Sequence, residues 1–340
     1  MTTVSTPSRR MQLVCPAGNL PSLRAAVDGG ADAVYMGLRD NTNARAFGGL
    51  NFDIKSAREG VQYAHARGAR VLMAINTYPQ AATWTRWTDA IDTAVALGID
   101  AVIVADPGLM AYARKRHPQL RLHLSVQGSA TNYEAINFYR EHFDVQRAVL
   151  PRVLSLEQVE QVVRNTPVEI EVFGFGSLCV MVEGRCALSS YVTGEAPNLA
   201  GVCSPAKAVQ WEPHADGLEA RLGGMLIDKY GPGEHAAYPT VCKGRFKAGD
   251  DVYYAIEEPA SLNAMELLPR LMAMGIAAIK IEGRQRSPSY VATVTRAWRD
   301  AIDEVHRTGT LAPHPESEHA LRRVAEGQTH TLGAYHRPWK

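Results

Sequence analysis

The sequence lacks several features that would assign a class of protein at once. Its 340 residues carry 36 Lys plus Arg against 35 Asp plus Glu, a net charge of +1. No overall field therefore draws the chain towards nucleic acid or anionic lipid. No apolar run reaches the roughly eighteen residues that span a membrane, and residues 1–10 are polar, unlike a signal peptide. We expect a cytoplasmic protein with a polar leader at residues 1–10, no transmembrane segment and no nucleic-acid partner.

The common hydrolytic motifs are also missing. The sequence contains no G-x-S-x-G elbow, no H-E-x-x-H pair and no C-G-S-C-W block, and its 11 histidines are scattered. These absences argue against a peptidase.

Cysteine is scarce, but four of the five cysteines fall in one stretch, separated by gaps of six, sixteen and thirty-eight residues. Thiols stay reduced in the cytosol, so the cluster indicates metal or redox chemistry rather than disulfides. The gaps are too uneven for a zinc ribbon of paired CxxC motifs and unlike ferredoxin spacing, but four thiolates suffice for a cubane iron–sulfur cluster. The spacing favours iron–sulfur and leaves structural zinc, or cysteines buried as small apolar residues, as alternatives. The candidate ligands are Cys179, Cys186, Cys203 and Cys242.

Apolar strand-like runs alternate with segments of helical period eight times along the chain. This alternation is typical of a parallel sheet covered by helices, and eight units favour a (β/α)8 TIM-like barrel. An open doubly wound sheet is the alternative, but no G-x-G-x-x-G follows the first strand. The predicted strands are residues 12–15, 33–37, 70–76, 101–106, 121–127, 147–151, 168–173 and 277–281.

The predicted units divide the chain into five parts. After the leader come barrel units one to seven at 11–176, an irregular cysteine-rich insertion at 177–260, the last barrel unit at 261–310, beginning with a helix at 262–274, and a tail at 311–340 that packs on the barrel. The insertion follows strand seven, so it rises from the face of a barrel that carries catalysis. Repeats of Gly30-Ala-Asp32 and Gly98-Ile-Asp100 before two strands indicate a repeated helix-to-strand step.

Polar residues follow several predicted strands, at the rim where a barrel carries its active site. Their position is the only evidence for a role, because rim residues also cap helices or form ion pairs. Arginines there could bind an anionic substrate. The rim candidates are Asp106, Arg152, Glu282 and Arg284, with Asn76 and Gln127. Cys15 ends strand one and is expected to pack in the barrel, although a redox role is open.

The run Glu171-Val-Phe-Gly-Phe-Gly-Ser-Leu-Cys179, followed by Gly184-Arg-Cys186-Ala-Leu-Ser189, resembles the motif of peptidase family U32. The resemblance extends over nearly the whole chain. The runs at 15–21, 30–35, 41–52, 132–138 and 281–288 are similar to the ubiquinone-biosynthesis branch of that family.

The resemblance implies hydroxylation rather than proteolysis. It implies a [4Fe-4S] cluster on Cys179, Cys186, Cys203 and Cys242, with Cys15 outside the set, and oxygen-independent hydroxylation of the ubiquinone ring. It also implies a heterodimer with a UbiV-like protein and a lipid-binding accessory protein that presents the isoprenoid precursor. Without O2, the oxygen atom must come from another donor, and we expect a small anionic one held by Arg152 or Arg284. An RNA-base hydroxylase and a noncatalytic cluster-bearing scaffold remain alternatives.

Overall fold

Eight parallel strands close into a barrel. The computed structural model describes residues 10–46, 48–181, 186–197 and 202–337. The last barrel strand pairs with both the first and the seventh, which closes the sheet. This closure confirms the predicted (β/α)8 barrel and rules out the open sheet. The barrel strands are β1 (Gln12–Pro16), β2 (Ala33–Met36), β3 (Arg70–Ile75), β4 (Ala101–Val104), β5 (Arg121–Leu124), β6 (Val145–Val149), β7 (Glu169–Ser177) and β14 (Ala278–Ile281).

Helices surround the barrel, and short polar side chains begin many of them. Asn19, Asp106 and Ser287 each accept a hydrogen bond from a backbone N–H of the first turn, which satisfies a donor that has no partner within the helix. The outer helices are α1 (Leu20–Asp28), α2 (Ile54–His65), α3 (Trp84–Ala96), α4 (Pro107–Arg116), α5 (Tyr133–Phe143), α6 (Leu156–Arg164), α8 (Leu268–Met274) and α9 (Pro288–Thr308); α7 (Ala187–Thr193) lies in the insertion and α10 (Pro315–Val324) in the C-terminal segment.

The repeated Gly-x-Asp step has a structural reason. Asp32 Oδ2 accepts a hydrogen bond from the N–H of Leu13, and Asp100 Oδ2 accepts one from Val71, each at 2.7 Å. Each aspartate thus joins the start of its own strand to the start of the preceding strand. The repeat in the sequence therefore marks how neighbouring barrel strands are aligned.

The two faces of the barrel strands bury different side chains. Outward-facing residues pack against the helices in one large apolar core, and Cys15 belongs to it, fully buried with its sulfur 3.2 Å from Thr295 Oγ1 of α9. The structure therefore places Cys15 as a packing residue, as expected. A second, separate apolar cluster comes from alternate positions of the same strands, as a filled barrel interior requires. Its members are Val14, Ala33, Tyr35, Leu72, Ala101, Ile103 and Ala278.

Strand β7 differs from the prediction in a way that matters for the site. It continues to Ser177 rather than ending at residue 173, and its extended end pairs antiparallel with β13 (Ser261–Asn263). The predicted helix at 262–274 is therefore wrong at residues 262–264; a 3-10 turn at Met265–Leu267 leads into α8, which begins at Leu268 with Pro269 in its first turn. The free edge of the lengthened β7 draws residues 261–263 into a strand.

The insertion is more regular than predicted. It contains a three-stranded antiparallel sheet of β8 (Val209–His214), β9 (Gly217–Leu222) and β10 (Met225–Tyr230), and a hairpin of β11 (Phe246–Ala248) and β12 (Asp251–Tyr253). Gly223 and Gly224 both have positive φ, +57° and +81°, as a two-residue hairpin turn requires. Leu222, Ile227 and Val241 form a small core of its own. Residues 182–185 and 198–201 lie outside the described residues.

The C-terminal segment lies against the barrel. Strand β15 (His330–Thr331) pairs with β13, and buried Tyr335 donates a hydrogen bond from its hydroxyl to the Phe173 carbonyl at 2.9 Å. Residues 1–9 of the leader and 338–340 of the tail lie outside the described residues. Within the described ranges, no helix combines the length and the apolar character needed to cross a membrane.

Candidate metal centre and barrel mouth

The four cysteines of the insertion lie on separate short elements. Cys179 follows the extended end of β7, Cys186 precedes α7 as its N-cap, and Cys242 lies in a 3-10 turn. The N–H of Ser189 donates to the Cys186 sulfur at 3.4 Å, and the Ser189 hydroxyl donates to the carbonyl of Cys203. The first turn of α7 therefore holds two of the cysteines together.

Electrostatics show that three of these sulfurs share one neighbourhood. Burial raises the pKa of the Cys242 thiol to about 11; the Lys243 ammonium opposes the rise, and the nearby sulfurs of Cys203 and Cys186 add to it. All four cysteines lie outside disulfides and have intermediate exposure. Burial alone disfavours the thiolate form of a cysteine, whereas the positive charge of a bound metal would favour it.

The chemistry of the four cysteine donors limits which metal groups they suit. Among the described residues, the only three or more His, Cys, Asp or Glu ligand atoms within 4.8 Å of one another belong to Glu212, His214 and Glu219. The four cysteines are not in that group, and cysteine thiolates hold both tetrahedral zinc and iron–sulfur clusters. A cubane cluster spreads its thiolates because each binds a different iron. The donor set therefore suits a [4Fe-4S] cluster, with one thiolate for each iron, as well as a single zinc ion.

The Glu212, His214 and Glu219 group is a cross-strand ion-pair ladder. Glu219 forms ion pairs with Arg221 at 2.7 Å and Lys229 at 2.5 Å. Its carboxylate oxygens are therefore already engaged.

Arg284 and its partners line the other candidate site, the mouth of the barrel. Arg284 is 5% exposed, and burial lowers its pKa to about 10. Its Nη1 donates to Asn43 Oδ1 at 3.0 Å. A Cβ on Gly37 would lie 2.6 Å from that Nη1, so only glycine lets the loop after β2 approach the guanidinium. Arg284 thus ties the loop after β2 to the loop after β14.

Arg152 and Glu282 connect the mouth to the cysteine centre. The guanidinium of Arg152 lies 4.5 Å from the Phe173 ring centroid and donates to the Ser177 carbonyl. The N–H of Ser177 donates to Glu282 Oε2 at 3.3 Å. Both rim residues therefore hold the end of β7, two residues before Cys179.

The remaining rim candidates have different surroundings. Asp106 caps α4, accepting from the N–H of Leu109 at 2.8 Å, so capping accounts for it. Asn76 bridges the N–H of Ala44 and the hydroxyl of Ser125, both at 3.1 Å. Gln127 is 5% exposed, and within the described residues its Oε1 has no hydrogen-bond partner. A ligand donor or a water could satisfy that oxygen.

Sequence reasoning missed a charged network inside the barrel. Lys280 Nζ lies 2.8 Å from Glu171 Oε1 and 3.9 Å from the Tyr35 ring centroid, and Arg147 lies 3.2 Å from the same carboxylate. Burial alone would raise the pKa of Glu171, but the charges of Lys280 and Arg147 outweigh burial and lower it. The signal for this network in the sequence is the alternation of side chains along the strand at residues 278–281, which places Lys280 on the inward face. The network puts charge below a mouth that already holds Arg152 and Arg284.

Comparison with known proteins matches nearly the whole chain. The profile described as "Peptidase family U32" matches residues 18–338. The chain is 33% identical over 322 residues to "tRNA hydroxylation protein P" of Escherichia coli (strain K12), covering 86% of this chain and 68% of that protein. It is 31% identical over 301 residues to "tRNA hydroxylation protein P1" of Bacillus subtilis (strain 168), covering 87% of this chain and 64% of that protein. The chain thus spans about two thirds of the length of these relatives. A solved structure titled "The Structure of the U32 Peptidase Mk0906" is 15% identical, with a TM-score of 0.41 over 51% of this chain and 72% of that chain.

Proposed function

The chain belongs to peptidase family U32, and from this premise we propose that it carries a [4Fe-4S] cluster and serves oxygen-independent hydroxylation of the aromatic ring in ubiquinone biosynthesis. The observation that carries the proposal is the set of four cysteines in the insertion, none of them in a disulfide: Ser189 links Cys186 to Cys203, and both lie near the Cys242 sulfur. The names of two relatives, both hydroxylation proteins, support the type of reaction. The ubiquinone ring rests on the resemblance of the runs at 15–21, 30–35, 41–52, 132–138 and 281–288.

Cys179, Cys186, Cys203 and Cys242 would hold the cluster, which would supply one-electron transfer when bound. The contribution of the other side chains is to hold these cysteines in position. The Ser189 contacts hold Cys186 and Cys203 together, and the contacts of Arg152 and Glu282 with Ser177 fix the end of β7 beside Cys179. The cysteine centre and the mouth therefore share one rigid strand end.

The mouth is the proposed site for the oxygen donor. Hydroxylation replaces a ring C–H by C–OH and is a two-electron oxidation of the ring. Without O2, a second compound must therefore supply the oxygen atom and take up the two electrons, which a donor does when it gives its hydroxyl group to the ring and keeps the hydrogen in exchange. Arg152 and Arg284 place two guanidiniums at the rim, each less than 10% exposed. Buried guanidiniums bind carboxylates strongly because little water competes. A small anionic donor therefore suits the charges of this mouth.

The proposal includes two protein partners. A UbiV-like protein would form a heterodimer with this chain, and a lipid-binding accessory protein would present the isoprenoid precursor. Both follow from the resemblance to the ubiquinone branch. Co-purification of a tagged chain with the UbiV-like protein from anaerobic cells tests the first partner, and recovery of the chain alone would count against it.

A second candidate function is RNA-base hydroxylation. The observation in its favour is that both relatives are named for tRNA hydroxylation, at 33% and 31% identity. Against it stands the net charge of +1, since RNA binding relies on a basic surface. The two functions predict different products and can be separated in one strain.

The separating experiment removes the gene from its host and restores it under anaerobic growth. Ubiquinone and hydroxylated RNA nucleosides are both measured by mass spectrometry. We expect wild type and Cys15→Ala to restore ubiquinone, and Cys179→Ala to fail, with RNA nucleosides unchanged throughout. Loss of the hydroxylated nucleosides alone would establish the RNA function. Full ubiquinone synthesis with Cys179→Ala, while the partner still binds, would favour a noncatalytic scaffold.

A further inference from the structure

A buried lysine connects three chain segments next to the cysteine centre. The side chain of Lys243 is 4% exposed, and its Nζ lies 2.5 Å from Glu326 Oε2. The same Nζ lies 3.3 Å from Ser177 Oγ, whose hydroxyl donates to Glu326 Oε2 at 3.0 Å. The three side chains form a closed triangle of polar contacts, called here the Lys243 triangle.

The triangle is placed where it can fix two of the cysteines. Ser177 ends β7 two residues before Cys179, and Lys243 follows Cys242 directly. Glu326 belongs to the C-terminal segment, and its N–H donates to Ser261 Oγ at 2.8 Å. Ser261 in turn pairs with Ser177 across β13 and β7. The C-terminal segment is therefore anchored to the strand end that leads into the cysteine centre.

Burial makes this arrangement specific. An ammonium removed from water is costly unless a countercharge and further hydrogen bonds satisfy it. Lys243 meets both conditions only when the turn at Cys242, the end of β7 and the C-terminal segment lie together. A surface lysine would allow many geometries, whereas a buried one in contact with a carboxylate allows few.

We infer that Lys243 is a positioning residue for the metal group: with Glu326 and Ser177 it sets the distance between Cys179 and Cys242, and its positive charge favours the reduced form of the bound cluster. This inference rests on the proposed function, since it concerns the cluster that the four cysteines would hold. The charge effect follows because added electron density is stabilised by a fixed positive charge at short range in a poorly solvated site.

The test uses full-length protein reconstituted anaerobically with iron and sulfide. Two quantities are measured: the rate of iron release to a chelator, and the midpoint potential in a spectroscopic redox titration. For Lys243→Met we expect at least tenfold faster release and a potential lowered by at least 59 mV, which is tenfold in a one-electron equilibrium. Lys243→Arg should restore the potential towards wild type.

Glu326→Gln is the second variant, chosen in case Lys243→Met fails to fold. It keeps a hydrogen-bonding side chain but leaves the Lys243 charge without its countercharge, so the potential should rise. Opposite shifts from the two variants are a signature that a purely structural contact would not produce. The control is Arg322→Met, which removes an exposed ion pair within α10 of the C-terminal segment, Arg322 to Glu318 at 2.8 Å; it should leave both quantities unchanged.

The outcomes separate this inference from the proposed function. Wild-type protein that takes up no iron would overturn both. Wild-type protein that holds a cluster, with release rates and potentials unchanged in Lys243→Met and Glu326→Gln, would overturn this inference alone. Equal effects from Arg322→Met would also overturn it, by showing that the changes are not specific to the Lys243 triangle.

Discussion

Replacing Lys280 by methionine should destabilise the protein by about 3 kcal/mol, because it breaks a buried ion pair inside the barrel. The side chains of Lys280 and Glu171 are 7% and 1% exposed, with 2.8 Å between Nζ and Oε1. Breaking such a pair typically costs about 3–5 kcal/mol. The low end applies here, since Arg147 remains 3.2 Å from the Glu171 carboxylate and compensates part of its charge. The loss of the contact between Lys280 and the Tyr35 ring, 3.9 Å apart, contributes to the same total.

The assay is urea unfolding of the purified protein, with a double-mutant cycle that adds Glu171→Gln. We expect the free energy of unfolding of the double variant to fall by at least about 1.5 kcal/mol less than the sum of the two single losses. The reason is that the double variant has no buried charge left without its partner from this pair. Lys55→Met, an exposed substitution on α2, should change stability by under about 0.5 kcal/mol. A loss below about 1 kcal/mol for Lys280→Met, or additive single variants, would refute the reasoning about this pair.

Three further predictions test the assignments at other positions. Burial, with the charges of Arg147 and Arg121, holds the pKa of His123 well below its ordinary value, so His123 binds a proton between about pH 7.5 and 5.5 only in the unfolded chain. The free energy of unfolding should therefore fall by about 1.4 kcal/mol from pH 7.5 to 5.5 because of this group. Urea unfolding of His123→Gln at the two pH values should lack that decrease. Asp106→Ala should cost about 1 kcal/mol in the same assay, as the loss of a helix cap does, and leave iron content unchanged; loss of iron would contradict its assignment as a cap. Burial raises the pKa of Cys15 to about 12, so iodoacetamide at pH 8 should spare Cys15 until denaturant is added, and early labelling detected by mass spectrometry would contradict its packing role.

The barrel was predictable because its signals are local. Each strand is a short apolar run, each following helix has a 3.6-residue period, and residues such as Asp32 and Asp100 mark the repeated step between them. The wrong elements depend on distant pairing. Residues 261–263 form β13 only because β7 extends to Ser177 and offers a free edge. The strands of the insertion also have a local signal, the Gly223-Gly224 turn that joins β9 to β10.

The candidate site was predictable to the same extent. Cysteine is rare enough that four in one stretch are visible in the sequence, and rim positions follow from the ends of strands. The sequence alone could not separate Asp106, which caps a helix, from Arg284, which ties two loops across the mouth. The contacts of Lys280 with Glu171 and of Lys243 with Glu326 join residues far apart in the chain. No spacing rule connects such residues before the fold is known.

The most direct test of the central claim is the metal content and visible spectrum of the protein, purified and reconstituted under anaerobic conditions. We predict a broad visible absorbance band with about four irons and four sulfides per chain, the content of one [4Fe-4S] cluster. The band should be lost in Cys179→Ala and kept in Cys15→Ala. One tightly bound zinc per chain without visible absorbance would contradict the account and leave a structural site in its place.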